Sequence, residues 1–213
     1  MLKVIVFPFS IFGINTYLVY DTESKETAII DPGMSNEREE EAINKVIKDH
    51  DLKLKYIINT HLHIDHIFGN QYLRKEYDAP ILANKEEEVL GKNIQKQAIM
   101  FGLPGKFDNI EITSYIKPGD IIYLGKEELK VIDVSGHSPG GIALYSPENN
   151  FIIVGDALFK GSIGRTDLPG ANHSNLLSNI RNNLFSLPDE TIVLSGHGES
   201  TTIGEEKNSN PFF

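Results

Sequence analysis

Four apolar, strand-like runs of this chain end in histidine or aspartate, and this repeated ending restricts the fold more than any other feature. The first run, Tyr56-Ile57-Ile58-Asn59, leads into Thr60-His61-Leu62-His63-Ile64-Asp65-His66. The other three lead into Gly136-His137, Gly155-Asp156 and Gly196-His197. In an α/β protein, sites form where strands end, so we expect these groups to share one edge of a sheet. The pattern therefore predicts an α/β fold with one polar site.

The first cluster holds three imidazoles and one carboxylate within six residues, His61 to His66. His61 and His63 alternate as on an extended chain and therefore point the same way. Asp65 and His66 are adjacent and splay apart, so they can serve a second centre. The alternative is a solvated polar turn, which the density of ligand groups disfavours. Such groups commonly converge to hold divalent metal, and a helix over residues 67–75 is predicted to follow.

Composition excludes several classes of protein. The 213 residues include 30 acidic and 20 basic side chains, for a net charge of −10, so a nucleic-acid substrate is not expected. There is no cysteine, which fits a reducing, cytoplasmic location. The apolar start, Met1 to Phe9, is predicted to be a strand and not a signal peptide, and no membrane span is predicted. We expect residues 1–213 to form one domain.

Taken as a set, His61-x-His63-x-Asp65-His66, Gly136-His137, Asp156 and Gly196-His197 resemble the metallo-β-lactamase superfamily. The resemblance implies a four-layer αββα sandwich with a dinuclear site at the sheet edges. It assigns the first metal to His61, His63 and His137. It assigns the second metal to Asp65, His66 and His197, with Asp156 bridging. The implied cofactors are two divalent ions, zinc in the first place, with iron and manganese as alternatives.

Within the superfamily, the chain is most similar to the glyoxalase II group, which hydrolyses hydroxyacylglutathione thioesters, and to its shorter bacterial relatives. The resemblance lies in Asn15-Thr16-Tyr17-Leu18, in the stretch from Gly155 to Asp167, and in Asn210-Pro211-Phe212. It implies a small-molecule thioester substrate attacked by metal-bound hydroxide, which Asp65 and Asp156 would orient. Only 16 residues follow His197, too few for the C-terminal helical domain of full-length glyoxalase II. The sequence therefore supports the chemistry better than the substrate.

Arg165 has two alternative roles. In glyoxalase II, a basic residue at this position contacts glutathione, so Arg165 is a candidate substrate-binding residue. An aromatic residue usually follows two positions later, but here Asp167 takes its place. Arg165 and Asp167 can instead pair with each other and brace the loop.

Other functions are also compatible with the resemblance. An iron-dependent persulfide dioxygenase shares the Gly164-Arg165-Thr166-Asp167 stretch and uses one iron held by two histidines and one aspartate. A non-catalytic, metal-stabilised interaction domain is a remote alternative, because degenerate members normally lose ligands and none is missing here. Lactam-cleaving members usually carry cysteine where Asp156 stands, which argues against that class.

Three further segments carry expectations. Asn36 and Glu39 are predicted to cap a helix, and the run Glu86-Glu87-Glu88 is predicted to be a solvated helix face. The segment 84–107 is expected to pack in the core, with a lid over the site as the alternative. The apolar loop Phe7 to Gly13 is expected either to rim the substrate cleft or to form a homodimer contact.

Overall fold

The computed structural model describes residues 1–9 and 12–213. Ser10 and Ile11 lie outside the described residues, so the prediction for the loop Phe7 to Gly13 falls partly outside them as well. Within the described ranges, no helix is both long and apolar enough to cross a membrane.

Most strands belong to two six-stranded mixed sheets. The strands of the first sheet, in spatial order, are β1 Leu2–Phe9, β2 Ile14–Asp21, β3 Glu26–Ile30, β4 Lys53–Ile58, β5 Ile81–Ala83 and β6 Ser114–Tyr115. The strands of the second sheet, in chain order, are β7 Ile121–Leu124, β8 Glu127–Asp133, β9 Ile142–Ser146, β10 Phe151–Gly155, β13 Ile192–Ser195 and β14 Thr201–Thr202. Their spatial order is β14-β13-β10-β9-β8-β7. Between β10 and β13, a small hairpin is formed by β11 Leu158–Phe159 and β12 Ser162–Ile163.

Helices flank the sheets. The α-helices are α1 Glu37–Asp49, α2 Asn70–Tyr77, α3 Glu88–Gly91, α4 Ile94–Met100, α5 His173–Asn179 and α6 Ile203–Ser209. Short 3₁₀ turns cover Ile64–His66 and Lys85–Glu87, and a π-helical turn, Ile180–Leu184, follows α5.

Strand β2 shows why the first sheet is buried on both faces. Leu18 and Tyr20 belong to one apolar cluster, whereas Tyr17 and Val19 belong to another. Successive side chains of a strand point to opposite faces, so the two clusters lie on opposite sides of the sheet.

Three apolar clusters separate the layers. The first joins the outer face of the first sheet to α1 and α2, the second fills the space between the sheets, and the third joins the second sheet to α5 and α6. Each sheet thus buries one face against the other sheet and one against helices. The predicted four-layer αββα sandwich is confirmed.

The strands that precede the candidate ligands end at the same side of the sandwich. Strands β8 and β10 are both antiparallel to β9, and β13 is parallel to β10, so these three strands run in one direction. The end of β4 reaches the same place, because the carbonyl of Thr60 accepts a hydrogen bond from the N–H of Ile142 at 3.0 Å.

The helix predicted over residues 67–75 begins later than expected, at Asn70. The residues before it form a 3₁₀ turn, in which the N–H of His66 donates to the carbonyl of His63 at 3.0 Å. The N–H of Gly69 donates to Pro32 at 2.8 Å, which ties the chain to the neighbouring loop before the helix starts. By contrast, Asn36 caps α1 as predicted, accepting from the N–H of Glu39.

Candidate metal centre

The structure brings the seven candidate ligands together at one edge of the sandwich. Among the described residues, three groups have potential ligand atoms within 4.8 Å of one another. The first group is His61, His63 and His137, and the second is Asp65, His66 and His197. The third group, Asp31 with His61 and His66, takes one histidine from each of the other two. The first two groups correspond to the sets that the sequence resemblance implies, apart from Asp156.

The first group is enclosed by protein and consists of imidazoles alone. Nδ1 of His63 lies 2.9 Å from Nε2 of His137, so two ring nitrogens face each other. Nε2 of His61 is buried without a hydrogen-bond partner. Because an unpaired buried polar atom is costly, Nε2 of His61 fits a cation bound beside the other two rings.

Asp156 lies between the two groups. One carboxylate oxygen is 3.4 Å from Nε2 of His66, and the other is 3.7 Å from Nε2 of His137 and 3.6 Å from Nε2 of His197. Oδ1 of Asp156 and Nε2 of His66 are both buried without a hydrogen-bond partner. A carboxylate in this position can contact two cations at once. On the other side of the second group, Asp65 lies 3.2 Å from Nε2 of His197.

The opposite ring nitrogens of four histidines are held by protein groups. The pairs are His61 with the hydroxyl of Thr60 at 3.0 Å, His66 with Asp31 at 3.0 Å, His137 with the carbonyl of Arg165 at 2.8 Å, and His197 with the carbonyl of Phe12 at 3.1 Å. In each pair Nδ1 is the atom held. Such bonds fix ring orientation and leave Nε2 directed toward the centre.

The electrostatics of the cluster suit metal binding. Burial and neighbouring imidazoles hold the pKa of His61 well below its usual value, and burial together with His137 lowers the pKa of His63 to about 3. Burial alone would raise the pKa of Asp156, but attraction to His66 outweighs it, so this pKa lies below its usual range. In the first group, neutral imidazoles beside the ionised carboxylate of Asp156 are the protonation states that a divalent metal requires. In the second group, burial would lower the pKa of His66 and of His197, but the neighbouring carboxylates of Asp65 and Asp156 outweigh it and raise both pKa values, so a metal that binds there would displace protons. Imidazole and carboxylate donors together fit divalent metal ions.

Two glycines allow this close packing. A side chain at Gly196 would collide with Oδ1 of Asp156 and with the ring of His66. Gly155 has φ +53°, and a Cβ there would collide with the hydroxyl of Thr60. Gly155 and Gly196 thus lack side chains where the ends of neighbouring strands come close together, and a larger residue at either position would push these strand ends apart.

Asp31 is a site residue that the sequence analysis missed. It is 1% exposed, follows β3, and accepts hydrogen bonds from both the N–H and the hydroxyl of Thr60, at 2.7 and 2.6 Å. Since these bonds and His66 occupy its carboxylate, Asp31 orients groups that lie nearer the centre. The strand-then-aspartate pattern that identified Asp156 also occurs at Asp31 and could have revealed it.

The prediction that Glu86-Glu87-Glu88 is a solvated face is wrong for Glu87. This residue is fully buried and accepts hydrogen bonds from the N–H groups of Leu62, at 2.8 Å, and Gly140, at 2.6 Å. Burial raises its pKa, and the bonds to these N–H groups oppose that rise. Glu87 thereby ties the loop carrying His61 and His63 to the loop that follows His137. A run of three glutamates gave no sign that its central member points inward.

Arg165 is paired with Asp167. Nε and one terminal nitrogen of Arg165 each donate to a different oxygen of Asp167 at 2.7 Å, and both side chains are exposed. The pair holds the pKa of Asp167 at about 2, chiefly through the hydrogen bonds from Arg165. Arg165 also lines the cavity of about 170 Å³ over Asp65, His137 and Asp156. The structure thus contains the predicted pair, and it also places Arg165 in the wall of the cavity over the candidate ligands.

A four-layer αββα sandwich with histidines and aspartates gathered at one edge defines a class of metal-binding proteins. The chain belongs to the metallo-β-lactamase superfamily, whose sequence model matches residues 10–197.

Known proteins similar to this chain include one relative from Haemophilus influenzae and two solved structures. The relative, hydroxyacylglutathione hydrolase GloC, is 36% identical over 208 residues, covering 97% of this chain and 96% of its own length. The B3 metallo-β-lactamase BLEG-1 is 33% identical with a TM-score of 0.86, covering 100% of this chain and 99% of its own. A di-iron-bound form of TTHA1623 is also 33% identical with a TM-score of 0.86, covering 99% of this chain and 100% of its own.

Proposed function

We propose that this protein is a dinuclear metallohydrolase that cleaves thioesters, in the manner of a hydroxyacylglutathione hydrolase. The observation that carries the proposal is Asp156, whose carboxylate faces His66 and His197 of one ligand group and His137 of the other. We further propose that residues 1–213 act as a single domain, since both sheets contribute to the same apolar cluster.

In this proposal His61, His63 and His137 would hold one ion, and Asp65, His66 and His197 would hold a second, with Asp156 facing both groups. When bound, such ions would supply hydroxide at neutral pH, because divalent metal can lower the pKa of water from about 15.7 to near 7. Asp65 and Asp156 would orient the attacking oxygen. A thiol leaving group has a pKa of about 8.5 and therefore needs little help from a general acid.

The thioester assignment is supported by the similarity to GloC over nearly the whole chain. The anionic part of a glutathione carrier would contact Arg165, which lies beside the centre but shares its charge with Asp167. Because imidazole and carboxylate ligands suit zinc, we propose zinc as the first choice of metal.

An iron-dependent persulfide dioxygenase is the second candidate. This candidate is supported by the Gly164-Arg165-Thr166-Asp167 stretch. TTHA1623, which is 33% identical to this chain, was solved in a di-iron-bound form, so iron is a candidate metal for either function. The similarity to BLEG-1, a B3 metallo-β-lactamase, places a lactam among the test substrates.

Elemental analysis of protein purified without added metal, combined with activity assays on the same sample, tests the proposal. We expect about two ions per chain, hydrolysis of S-lactoylglutathione, no oxygen uptake with glutathione persulfide and no cleavage of a chromogenic cephalosporin. One iron per chain with oxygen uptake and no hydrolysis would replace the proposal with the dioxygenase.

A variant pair connects activity to the centre. Asp156→Asn is expected to lose at least one ion and most hydrolysis, because the amide cannot supply two anionic oxygens. Asp51→Asn alters an exposed aspartate in the turn after α1 and should retain both metal and activity. Equal activity of the two variants would contradict the assignment of Asp156.

A further inference from the structure

An apolar cavity of about 340 Å³ opens beside the candidate metal centre. Helices α3 and α4 form one wall, and residues 168–170 form the other. It shares His63, Phe101 and Leu168 with the smaller cavity over Asp65, His137 and Asp156. The two cavities therefore adjoin, and a molecule reacting in the small one can extend into the large one. The volume is at the lower end of the roughly 300–1,000 Å³ of small-molecule sites.

Hydrocarbon side chains dominate the lining of this larger cavity, which we call the acyl-side cavity. Val89 and Met100 point toward it from the helices while remaining 55% and 51% exposed, and Leu168 lines the opposite wall. Large side chains with this much exposure beside a reactive centre favour an apolar ligand.

The polar groups of the lining are largely committed elsewhere. Gln97 accepts from the N–H of Ile64 at 3.0 Å and donates to the carbonyls of Leu62 and Leu90 at 3.1 and 3.2 Å. Asn93 donates to the carbonyl of Val89 at 2.8 Å. Little hydrogen-bonding capacity is therefore left to recognise a polar ligand. Among the described residues that line the cavity, Lys96 is the one charged side chain, and it is exposed.

We propose that the acyl-side cavity binds the apolar acyl group of the substrate, so that this protein prefers thioesters of medium-length hydrocarbon acids. The proposal rests on the thioester hydrolysis proposed above. The charged thiol carrier would lie toward Arg165, which lines only the smaller cavity, and the acyl group would then extend past His63 toward Val89 and Met100. Apolar walls complement this occupant, because burial of hydrocarbon is favourable and needs no hydrogen bonds.

A chain-length series measures this preference. Acetyl, butanoyl and hexanoyl thioesters of glutathione should show kcat/KM rising about three- to fourfold per added methylene, as expected for about 0.8 kcal/mol per buried CH₂. Val89→Trp fills the cavity and should reduce the rise to less than about twofold per methylene. Ile121→Trp, at an exposed apolar position on the far strand β7, is the matched control and should keep the wild-type series.

Two results of this series would overturn the proposal. One is a flat series in the wild-type protein, and the other is a rise that Val89→Trp leaves intact. A parallel series of acetyl thioesters of lengthening alkanethiols separates the two sides of the substrate. A rise confined to that series would move the apolar group to the thiol side and overturn the acyl assignment.

A binding measurement on the metal-free protein is independent of catalysis. The chain has three methionines, of which Met100 lines the acyl-side cavity and Met34 lines a different cavity of about 380 Å³. With methyl-¹³C methionine, addition of hexanoate should shift the Met100 signal and leave those of Met1 and Met34 in place. Acetate should shift none of the three.

This measurement separates the two proposals. If no thioester is hydrolysed but hexanoate still shifts Met100 selectively, the cavity assignment stands and the thioesterase proposal fails. No shift, or a shift of Met34 alone, overturns the cavity assignment. A Met100 shift caused by diluting the protein alone would show that a second copy of the chain covers this surface and would also overturn it.

Discussion

The carboxylate of Asp31 lies 3.0 Å from Nδ1 of His66 and also accepts two hydrogen bonds from Thr60. One buried side chain therefore fixes the ring of a candidate metal ligand and the backbone just before His61. Partners of this kind commonly contribute 10–100-fold to metal affinity.

Asp31→Asn should weaken metal binding about 10–100-fold while retaining the fold. The amide oxygen can still accept from the N–H of Thr60, but the NH₂ group that replaces the other oxygen can accept neither from the Thr60 hydroxyl nor from His66. Competition with a metal-sensitive dye measures the affinity. Both Asp31 and Asp51 have φ near +50°, a conformation that asparagine tolerates, so Asp51→Asn is a matched control expected to bind metal normally. Equal affinities in the two variants would argue against this role of Asp31.

Removing the buried carboxylate of Glu87 should destabilise the protein. Glu87→Ala leaves two buried N–H groups, those of Leu62 and Gly140, without their acceptor. At about 1–3 kcal/mol per group, we expect a loss of about 2–6 kcal/mol in the free energy of unfolding, measured in urea. Glu87→Gln should lose less because it keeps one acceptor. Glu86→Gln, at the exposed neighbour, should change stability by less than about 0.5 kcal/mol. A stable Glu87→Ala protein would contradict the bridging role.

Gly196→Ala should abolish metal binding at the centre. The added methyl group would occupy the space of Oδ1 of Asp156 and press on the ring of His66. Gly198→Ala is the control, because a Cβ there meets no atom within 4 Å, although φ +74° makes it strained by roughly 1 kcal/mol. The expected result is loss of metal in the first variant and full metal content with slightly lower stability in the second. Metal retention by Gly196→Ala would show that the strand ends can move apart.

Acid should destabilise the protein in part through Asp21, which is remote from the metal centre. Burial would raise its pKa, but hydrogen bonds from the N–H and hydroxyl of Ser24, at 2.9 and 2.8 Å, help lower it to about 2. Because the pKa is lower in the folded than in the unfolded chain, the stabilisation is complete above pH about 5 and is lost as the pH falls toward 2.

Unfolding of the chelated protein in urea between pH 5 and pH 2 tests this contribution. Asp21→Asn should remove about 1–2 kcal/mol of the acid-dependent loss, a range reduced for solvent screening. An acid profile of Asp21→Asn identical to that of the unaltered protein would contradict the prediction.

Much of this fold could be predicted from the sequence, because local patterns specify it. The apolar runs became β4, β8, β10 and β13, each followed by a candidate ligand. Asn36 also caps α1 as predicted. The pattern failed where contacts distant in the chain decide, as at the start of α2, which is delayed by the bond from Gly69 to Pro32.

The sequence by itself determined which side chains are candidates for the metal centre, since a strand-like run followed by glycine and histidine can be recognised without the structure. Only the tertiary structure decided which groups support them. Glu87 resembles an ordinary surface acid in sequence, and the strand before Asp31 marks its position but not the groups that it supports, yet both side chains are buried beside the ligands. Their burial depends on backbone N–H groups supplied by loops far away in the chain, such as that of Gly140 for Glu87. A hydrogen-bond partner that arrives through folding leaves no local pattern, so these roles appear only once the sandwich has closed.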